Sequence, residues 1–355
     1  MFNKILTKNT KMKKSIIILL CIIVGSLKLS AQQDAQFTLF PWASLYYNPG
    51  TAGEQNNTLC FTGIYNQKYM GLKQAYPDPT NPANINTDNI SPQDFLVNVE
   101  FFSRKIRGAI GVSFISDKIT FFHNIGVRLG YTFRFNLGGG KMGIGFQAGL
   151  FNQSLTPDDF RALQEGDPLL QLLKDSESYM DLDFNFGLHY KAERWDIGIS
   201  AVNLLGKKSI ALSGGEELNL ARQLYIHGGY NWTLPWNPSW VLEPKALIKT
   251  DFASFQVDIM ALARYNGILW GGLSYRINDA VSLLFGARPF WNSSNNYLKG
   301  LDVGISYGFT TTKFAYTKQG SAGDFELMIR YCFDIFRQEV FSGYGSSRNI
   351  YKNQY

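Results

Sequence analysis

The sequence is poor in the features that mark several large classes of protein. It has three cysteines, 12 prolines and 17% charged residues in 355 positions, and three cysteines are too few for a disulfide scaffold. Its 34 glycines follow no collagen period, and 45% apolar with 15% aromatic residues exclude a disordered chain. Beyond residue 31 no run of about 18 apolar residues occurs, which excludes a helical membrane protein. A large β-rich chain with little charge remains.

The formal net charge of +6 arises entirely at the start of the chain. Residues 1–31 contain six lysines and no Asp, Glu or Arg. The other 324 residues therefore carry 28 basic side chains, which is the total of 34 less these six, against 28 acidic ones. Because this remainder is neutral, binding to nucleic acid has no electrostatic support.

Residues 1–31 have the three parts of a secretory signal peptide. A basic start is followed by an apolar run from Ile16 to Leu27, and Leu29-Ser30-Ala31 precedes Gln32 as a cleavage site. The apolar run is too short to span roughly 30 Å of hydrocarbon as a helix, so a retained anchor helix is disfavoured. We expect cleavage after Ala31 and export of the remainder.

The rest of the chain alternates between apolar and polar residues. From Ile125 to Phe135 every second residue is apolar, and polar residues or glycine fill the alternate positions, the pattern of a strand with one apolar face. The same pattern predicts 14 strands. They lie near 57–69, 94–103, 108–116, 123–137, 141–153, 181–191, 195–205, 222–234, 239–250, 254–265, 268–277, 280–290, 300–310 and 324–333.

Many connections between these strands alternate in length, although the segment 291–299 breaks the alternation and the external connections after the third, ninth and eleventh strands are short. The short ones cover 104–107, 138–140, 192–194, 235–238 and 266–267, and the long ones cover 70–93, 154–180 and 206–221. Outer-membrane barrels have short periplasmic turns and longer external loops in this way. A soluble sandwich or barrel would bury its apolar face as a core. An apolar face opposite a polar or glycine face in every strand fits a lipid-facing exterior and a wet lumen better.

The sequence therefore predicts an all-β protein, a transmembrane antiparallel β-barrel of about 14 strands preceded by a cleaved signal peptide. Residues 32–56 are expected to form a periplasmic N-terminal segment, 57–333 the barrel and 334–355 a periplasmic tail. Both termini then lie in the periplasm. Strand boundaries within 239–290 are the least certain, because the candidate at 239–250 contains Pro244 and the stretch 254–290 can be divided into strands in more than one way.

Charged residues on the inward face have a simple role in a polar lumen, where they can pair across strands and fill the space. The candidate lumen charges are Glu100, Arg128, Arg134, Asp181, Asp183, Asp196, Asp258, Arg264, Arg288 and Arg330.

The two cysteines outside the signal peptide lie on the first and last predicted strands. Barrel closure places these strands side by side, with Cys60 near the start of one and Cys332 near the end of the other. We therefore hypothesise that they are neighbours at the closing seam and form a disulfide in an oxidising compartment. Two unrelated thiols are the alternative, since strand registers read from sequence err by a few residues.

Five stretches of the mature chain carry a family resemblance. They are QDAQF (33–37), YNPGTAG (47–53), GISAVNLL (198–205), WGGLSYR (270–276) and ELMIRYCF (326–333). In this order and spacing they resemble the PorP/SprF family of type IX secretion system membrane proteins. The chain departs from the family pattern at Gly50, where alanine is expected, and in its long tail after Phe333.

The resemblance implies an outer-membrane barrel of a Bacteroidetes-type bacterium, acting in type IX protein secretion and gliding motility. It implies periplasmic ring proteins or lipoproteins, or a secreted surface adhesin as cargo, as partners, besides outer-membrane lipid. The long loops are candidate cargo sites, and the N-terminal segment and the tail are candidate sites for periplasmic proteins. No cofactor and no enzymatic activity are expected.

Two segments are candidates for partner binding. Residues after Thr156-Pro157 suggest a short amphipathic helix, with Asp158, Phe160, Leu163 and Leu169 as candidate contacts. An apolar helix tucked into its own lumen is an equal alternative. The tail offers Phe336, Phe341 and Tyr344 as a docking strip, and a disordered end is its alternative.

A general or substrate-selective porin is the alternative function. A barrel of about fourteen strands is wide enough for an aqueous passage unless it is plugged, and the sequence indicates no strong plug. An enzyme is disfavoured, because the spacing of His123, His189 and His227 suggests no metal site.

Overall fold

A computed structural model describes residues 34–54, 58–77, 84–120, 122–155, 178–211, 217–293, 299–311 and 323–334. The predicted signal peptide, the helix expected after Pro157 and the tail beyond Asp334 lie outside these ranges, and so do all seven candidate partner-binding residues. Within the described residues, no helix is long and apolar enough to cross a membrane.

The structure contains one short helix, one 3-10 turn and nineteen strands within the described ranges. The helix α1 covers Ser44–Tyr47 and the 3-10 turn covers Pro49–Thr51. The strands are β1 Thr58–Gln67, β2 Lys73–Pro77, β3 Ile85–Asn89, β4 Gln93–Ser103, β5 Gly108–Ile119, β6 Phe122–Leu137, β7 Gly140–Leu155, β8 Ser178–Lys191, β9 Trp195–Val202, β10 Lys207–Ala211, β11 Glu217–Leu220, β12 Gln223–Tyr230, β13 Trp232–Thr233, β14 Trp240–Thr250, β15 Phe255–Tyr265, β16 Leu269–Arg276, β17 Ala280–Ala287, β18 Leu301–Thr310 and β19 Asp324–Asp334.

The large sheet closes into a barrel. Fourteen strands pair antiparallel with their neighbours along the chain, and β1 pairs with both β4 and β19. The pairs β2–β3 and β10–β11 are separate hairpins in the loops between barrel strands. The predicted all-β barrel of about 14 strands is confirmed.

Pro244 lies within β14 without breaking the barrel. It pairs with Ala261 of β15 on one side. On the other side, β14 pairs with β12 up to Gly229 and again with β13 from Trp232, so the ladder is interrupted where Pro244 lies. Because proline has no N–H to donate, the gap between β12 and β13 accommodates it.

The two ends of the barrel differ in their connections. At one end, which we call the turn end, the connections include 104–107, 138–139, 192–194 and 266–268. Asn266 and Gly267 have φ of 49° and 69°, the left-handed conformations of a tight hairpin turn. At the other end, the loop end, lie both loop hairpins.

The two faces of the wall differ as the alternation predicts. In β6, Arg128 is 4% exposed and the next residue, Leu129, is 59% exposed. Outward positions of other strands carry exposed apolar side chains, including Phe146, Ile197 and Phe285. Such an exterior is stable against lipid, and closure leaves no unpaired edge in the hydrocarbon.

Candidate functional site: the lumen and its plug

Residues 34–54, which we call the plug, run through the lumen from one end of the barrel to the other. Asp34 lines a cavity at the loop end together with Asp94 and Asp279. Glu54 pairs with Lys191 at the turn end. The sequence places this stretch, as part of 32–56, in the periplasm, whereas the structure places residues 34–54 inside the barrel. The physical reason is that its apolar side chains find an apolar core there.

That core fills the middle of the lumen. Its plug residues are Ala35, Phe37, Leu39, Phe40, Trp42, Ala43, Tyr46 and Tyr47. They pack on inward side chains of the wall that are themselves apolar, among them Ile64, Leu96, Met260, Leu284 and Met328. Burial of this apolar surface favours the docked plug. The lumen is therefore not lined by polar residues alone.

Carboxylates of the wall hold the first half of the plug, residues 34–43. The backbone N–H groups of Thr38 and Leu39 donate to the two carboxylate oxygens of Glu326, the second at 2.8 Å. Trp42 Nε1 donates to Asp302 Oδ2 at 3.3 Å. The Trp42 ring also stacks on Trp270, with 4.5 Å between ring centroids. Bonds to an ionised acceptor are the stronger kind.

The plug also folds back on itself. The backbone N–H of Phe37 donates to Tyr47 Oη at 2.9 Å. Tyr47 is buried, and its hydroxyl in turn lies 3.4 Å from the Ala35 carbonyl, to which it donates. This contact ties the start of the first half to the helix α1.

Two wall residues bind the backbone of the second half of the plug, residues 44–54. The Arg134 guanidinium donates to the carbonyls of Gly50, Thr51 and Ala52 at 3.2, 2.7 and 2.6 Å. Thr132 Oγ1 donates to the Pro49 carbonyl at 2.6 Å. The four consecutive carbonyls of residues 49–52 lie in or beside the 3-10 turn and take part in no β-sheet hydrogen bonds. Side chains of the wall supply hydrogen-bond donors to them.

Glycines on the inner wall let the second half lie against the strands. A Cβ placed on Gly145 or Gly143 of β7 would overlap the backbone of Pro49 or Gly50, and one on Gly187 of β8 would overlap the Asn48 side chain. The glycines on the polar face of these strands are thus required by close backbone approach. The YNPGTAG stretch is the part of the plug that uses them.

The structure brings several of the predicted lumen charges together. Arg128 pairs with Asp183 at 2.8 Å, and its guanidinium lies 5.1 Å from the Tyr46 ring centroid. Asp258 pairs with Lys249 and Arg276 at 2.8 and 3.0 Å. All five charged residues face the lumen, where pairing lowers the cost of burying charge.

Other predicted charges have partners of different kinds. Arg264 pairs with Glu243, and Arg288 with Asp302, at 2.8 and 3.1 Å. Glu100 accepts a bond from the Gly53 N–H of the plug at 3.0 Å. Arg330 Nη2 lies 3.9 Å from Cys60 Sγ. Asp181 instead accepts from the backbone of Leu182 and joins no lumen pair in the described residues.

Cys60 and Cys332 are directly opposite each other across the β1–β19 seam. The structure joins them by a disulfide, with 4.1 Å between their Cα atoms. The seam thus brings together the two thiols that the hypothesis of a closing disulfide requires.

Cavities at the two ends of the lumen differ in charge. The loop-end cavity, of about 440 Å³, is lined by Asp34, Asp94, Asp117 and Asp279, with Lys68 as the one cation among the described residues that line it. The turn-end cavity, of about 340 Å³, is lined by Lys191, Lys245, Arg264, Arg288 and Arg330 against Glu54, Asp196 and Glu243. The apolar core of the plug lies between them.

The comparisons with known proteins agree with this architecture. The model of the family described as type IX secretion system membrane protein PorP/SprF matches residues 29–331. The chain belongs to the PorP/SprF family. As a member of it, the chain is an outer-membrane barrel, which confirms the family and the location expected from sequence. No curated protein sequence matches it significantly.

Solved barrels are similar to this PorP/SprF protein in outline. A deletion mutant of TodX, described as a monoaromatic hydrocarbon channel, is 9% identical with a TM-score of 0.48, over 82% of this chain and 94% of that one. A Pseudomonas aeruginosa FadL homologue is 11% identical with a TM-score of 0.42, over 83% and 94%. At these identities and TM-scores, the similarity gives no information on substrate or mechanism.

Sequence reasoning missed the plug and its anchors. The alternation of apolar and polar residues does not mark residues 34–54, because this stretch contains no strand. Its one helix has only four residues, which is too short to show a helical period. The available signal was a stretch rich in Phe, Trp and Tyr that would otherwise be expected in water. Equally missed was the meeting of His189, Asp196 and His227 at the turn-end cavity.

Proposed function

We propose that this PorP/SprF protein is a plugged, non-enzymatic barrel that binds partners of the type IX secretion machinery on its two rims. The partners we propose are periplasmic ring proteins and a cognate secreted adhesin. One observation carries this: residues 34–54 fill the middle of the lumen with an apolar core. A protein whose lumen is occupied by its own chain is better suited to holding cargo than to conducting solutes.

The filled lumen argues against the porin alternative. A porin needs a water-filled channel through its barrel. Here the two cavities are separated by the buried side chains of the plug, including Phe37, Leu39 and Tyr47. The work of the protein is therefore expected on its outer surfaces rather than in a solute path.

The periplasmic contact is proposed for the turn end, since the N-terminal segment is engaged in the lumen. There, Arg104, Lys105 and Arg107 of the β4–β5 turn are exposed, and Trp236 in the connection before β14 is 74% exposed. Arg, Lys and Trp side chains are well suited to a protein contact, with charge guiding association and the aromatic ring anchoring it.

Native purification tests the proposal. Protein captured from outer membranes in mild detergent should carry ring proteins or a surface adhesin with a type IX targeting domain, identified by mass spectrometry. Reversing the three charges at 104, 105 and 107 to Glu should lower ring recovery. The matched reversal of exposed Lys73 and Lys118 at the loop end should leave ring recovery unchanged. Recovery of a lone barrel from native membranes would overturn the proposal.

A further inference from the structure

Three side chains from three adjacent strands meet at the turn-end cavity. His189 of β8 and His227 of β12 are both paired with Gly198 of β9, which lies between them. Their rings stack with 5.4 Å between centroids. This is possible because Gly198 has no side chain, and a Cβ there would overlap the His227 ring. Asp196, two residues earlier on β9, points to the same face.

The distances within this cluster approach those of a metal site. His189 Nε2 lies 3.8 Å and His227 Nδ1 lies 4.0 Å from Asp196 Oδ2. All three ligand atoms lie within 4.8 Å of one another. In a tetrahedral site with bonds of about 2.0–2.1 Å, ligand atoms are about 3.3–3.4 Å apart. Small side-chain rotations would bring the three atoms to that spacing.

The cluster is buried but lies beside a cavity. His189 is 2% exposed, and its Nδ1, the ring nitrogen that is not a proposed ligand, has no hydrogen-bond partner among the described residues. All three residues line the cavity of about 340 Å³, which can supply water to an open coordination position. Two imidazoles and one carboxylate suit a divalent first-row metal ion.

We propose that His189, Asp196 and His227 bind a divalent transition-metal ion, with Zn²⁺ as the best fit, inside the lumen. The ligand atoms are His189 Nε2, Asp196 Oδ2 and His227 Nδ1, and water completes the site from the cavity. This inference stands apart from the proposed function, because it concerns the lumen and not the rims.

The metal site is linked to the plug through Asn48. Its Oδ1 accepts from the Gly50 N–H and its Nδ2 donates to the Leu188 carbonyl, which fixes the orientation of the amide. The same Nδ2 lies 3.0 Å from His227 Nε2, so without metal that nitrogen accepts and Nδ1 carries the proton. Metal at Nδ1 moves the proton to Nε2. The bond from Asn48 is then lost.

Two variants follow that should strengthen binding. Asn48→Asp offers a carboxylate that can accept the Nε2 proton, and such a partner raises the affinity of a ligating histidine. Lys245→Met removes a positive charge from the wall of the same cavity, where it repels a bound cation. Each is expected to raise Zn²⁺ affinity several-fold.

Calorimetric titration with Zn²⁺ at pH 7.5 tests the site, using the barrel in detergent without a histidine tag. One ion per chain should bind, and His189→Ala, His227→Ala and Asp196→Asn should each weaken binding by at least tenfold. His123→Ala is the matched control, since it removes a histidine at the loop end and should leave affinity unchanged.

The conservative Asp196→Asn variant keeps the test decisive should an alanine variant not fold. Absence of saturable binding to the wild type would overturn the proposal. So would full affinity in Asp196→Asn, or loss of binding in His123→Ala.

Discussion

The two halves of the plug are held in different ways. The first half, residues 34–43, is bound by wall carboxylates, those of Glu326 and Asp302. The second half, residues 44–54, lies against strands whose inner faces have glycine, and Arg134 binds its carbonyls. Wall side chains thus hold both halves, and the second half in addition lies directly against inward glycines of β7 and β8.

Both halves carry part of the family resemblance, QDAQF (33–37) in the first and YNPGTAG (47–53) in the second. In the second half, close backbone contact restricts both the plug residues and the facing glycines. In the first half a wall carboxylate binds backbone N–H groups of Thr38 and Leu39, a contact that places little demand on the plug side chains. The second half should therefore be the more sensitive to small changes.

Replacing Arg134 should have the largest effect. Arg134→Ala leaves the carbonyls of Gly50, Thr51 and Ala52 without the guanidinium that binds them. We expect the free energy of unfolding to fall by about 3–5 kcal/mol, since several bonds to a charged donor are lost together. Urea titration in detergent, followed by tryptophan fluorescence, measures it.

The control for this change is Arg104→Ala, at an exposed turn position. It should alter the free energy of unfolding by no more than about 0.5 kcal/mol. An Arg134→Ala protein as stable as this control would show that the second half is not fixed by its carbonyls.

The Cys60–Cys332 disulfide links the two halves indirectly. Cys60 is in β1, which follows the second half, and Cys332 is in β19, which carries Glu326. We expect Cys60→Ser with Cys332→Ser to lower the free energy of unfolding by about 2–4 kcal/mol. Peptide mapping without reductant should recover the two cysteines in one linked fragment. Two freely alkylated thiols in the exported protein would contradict the linkage.

Adding one methyl group at Gly145 tests whether the second half lies directly against β7. Gly145→Ala places a Cβ against the backbone of Pro49 and Gly50, and such overpacking should cost about 1–3 kcal/mol. Gly63→Ala is the matched control, because a Cβ at Gly63 has open space around it. Equal stability of the two variants, measured by the same urea titration, would refute a backbone docked on β7.

The first half should respond more weakly. Glu326→Gln keeps one acceptor oxygen but turns an amide N–H₂ toward one of the two backbone donors of Thr38 and Leu39. We expect a loss of about 1–2 kcal/mol. Glu193→Gln, in the exposed β8–β9 turn, serves as control and should be neutral. A loss in free energy of unfolding larger than that of Arg134→Ala would contradict the expectation that the second half is the more sensitive one.

The barrel could be predicted because its signal is local. Alternation with period two fixes each strand and its lipid face, so all fourteen strands could be recognised, including β14 with Pro244. The plug could not be predicted in this way. Its position depends on contacts between residues as distant as Leu39 and Glu326, and no periodic pattern records such contacts.

The candidate site was predictable only in part. Inward charges such as Arg128 and Asp183 follow from the alternation, but their pairing reaches across Gly149 of the intervening β7 and so depends on register. The cluster of His189, Asp196 and His227 depends on register across three strands. Reading it from sequence would require strand positions correct to one residue, and sequence patterns do not give this precision.

Single-channel recording in planar bilayers tests most directly whether residues 34–54 close the lumen. The intact wild-type barrel should show no stepwise conductance above the bare bilayer. A steady conductance of the wild type equal to that of an open barrel of this size would contradict a lumen filled by its own chain.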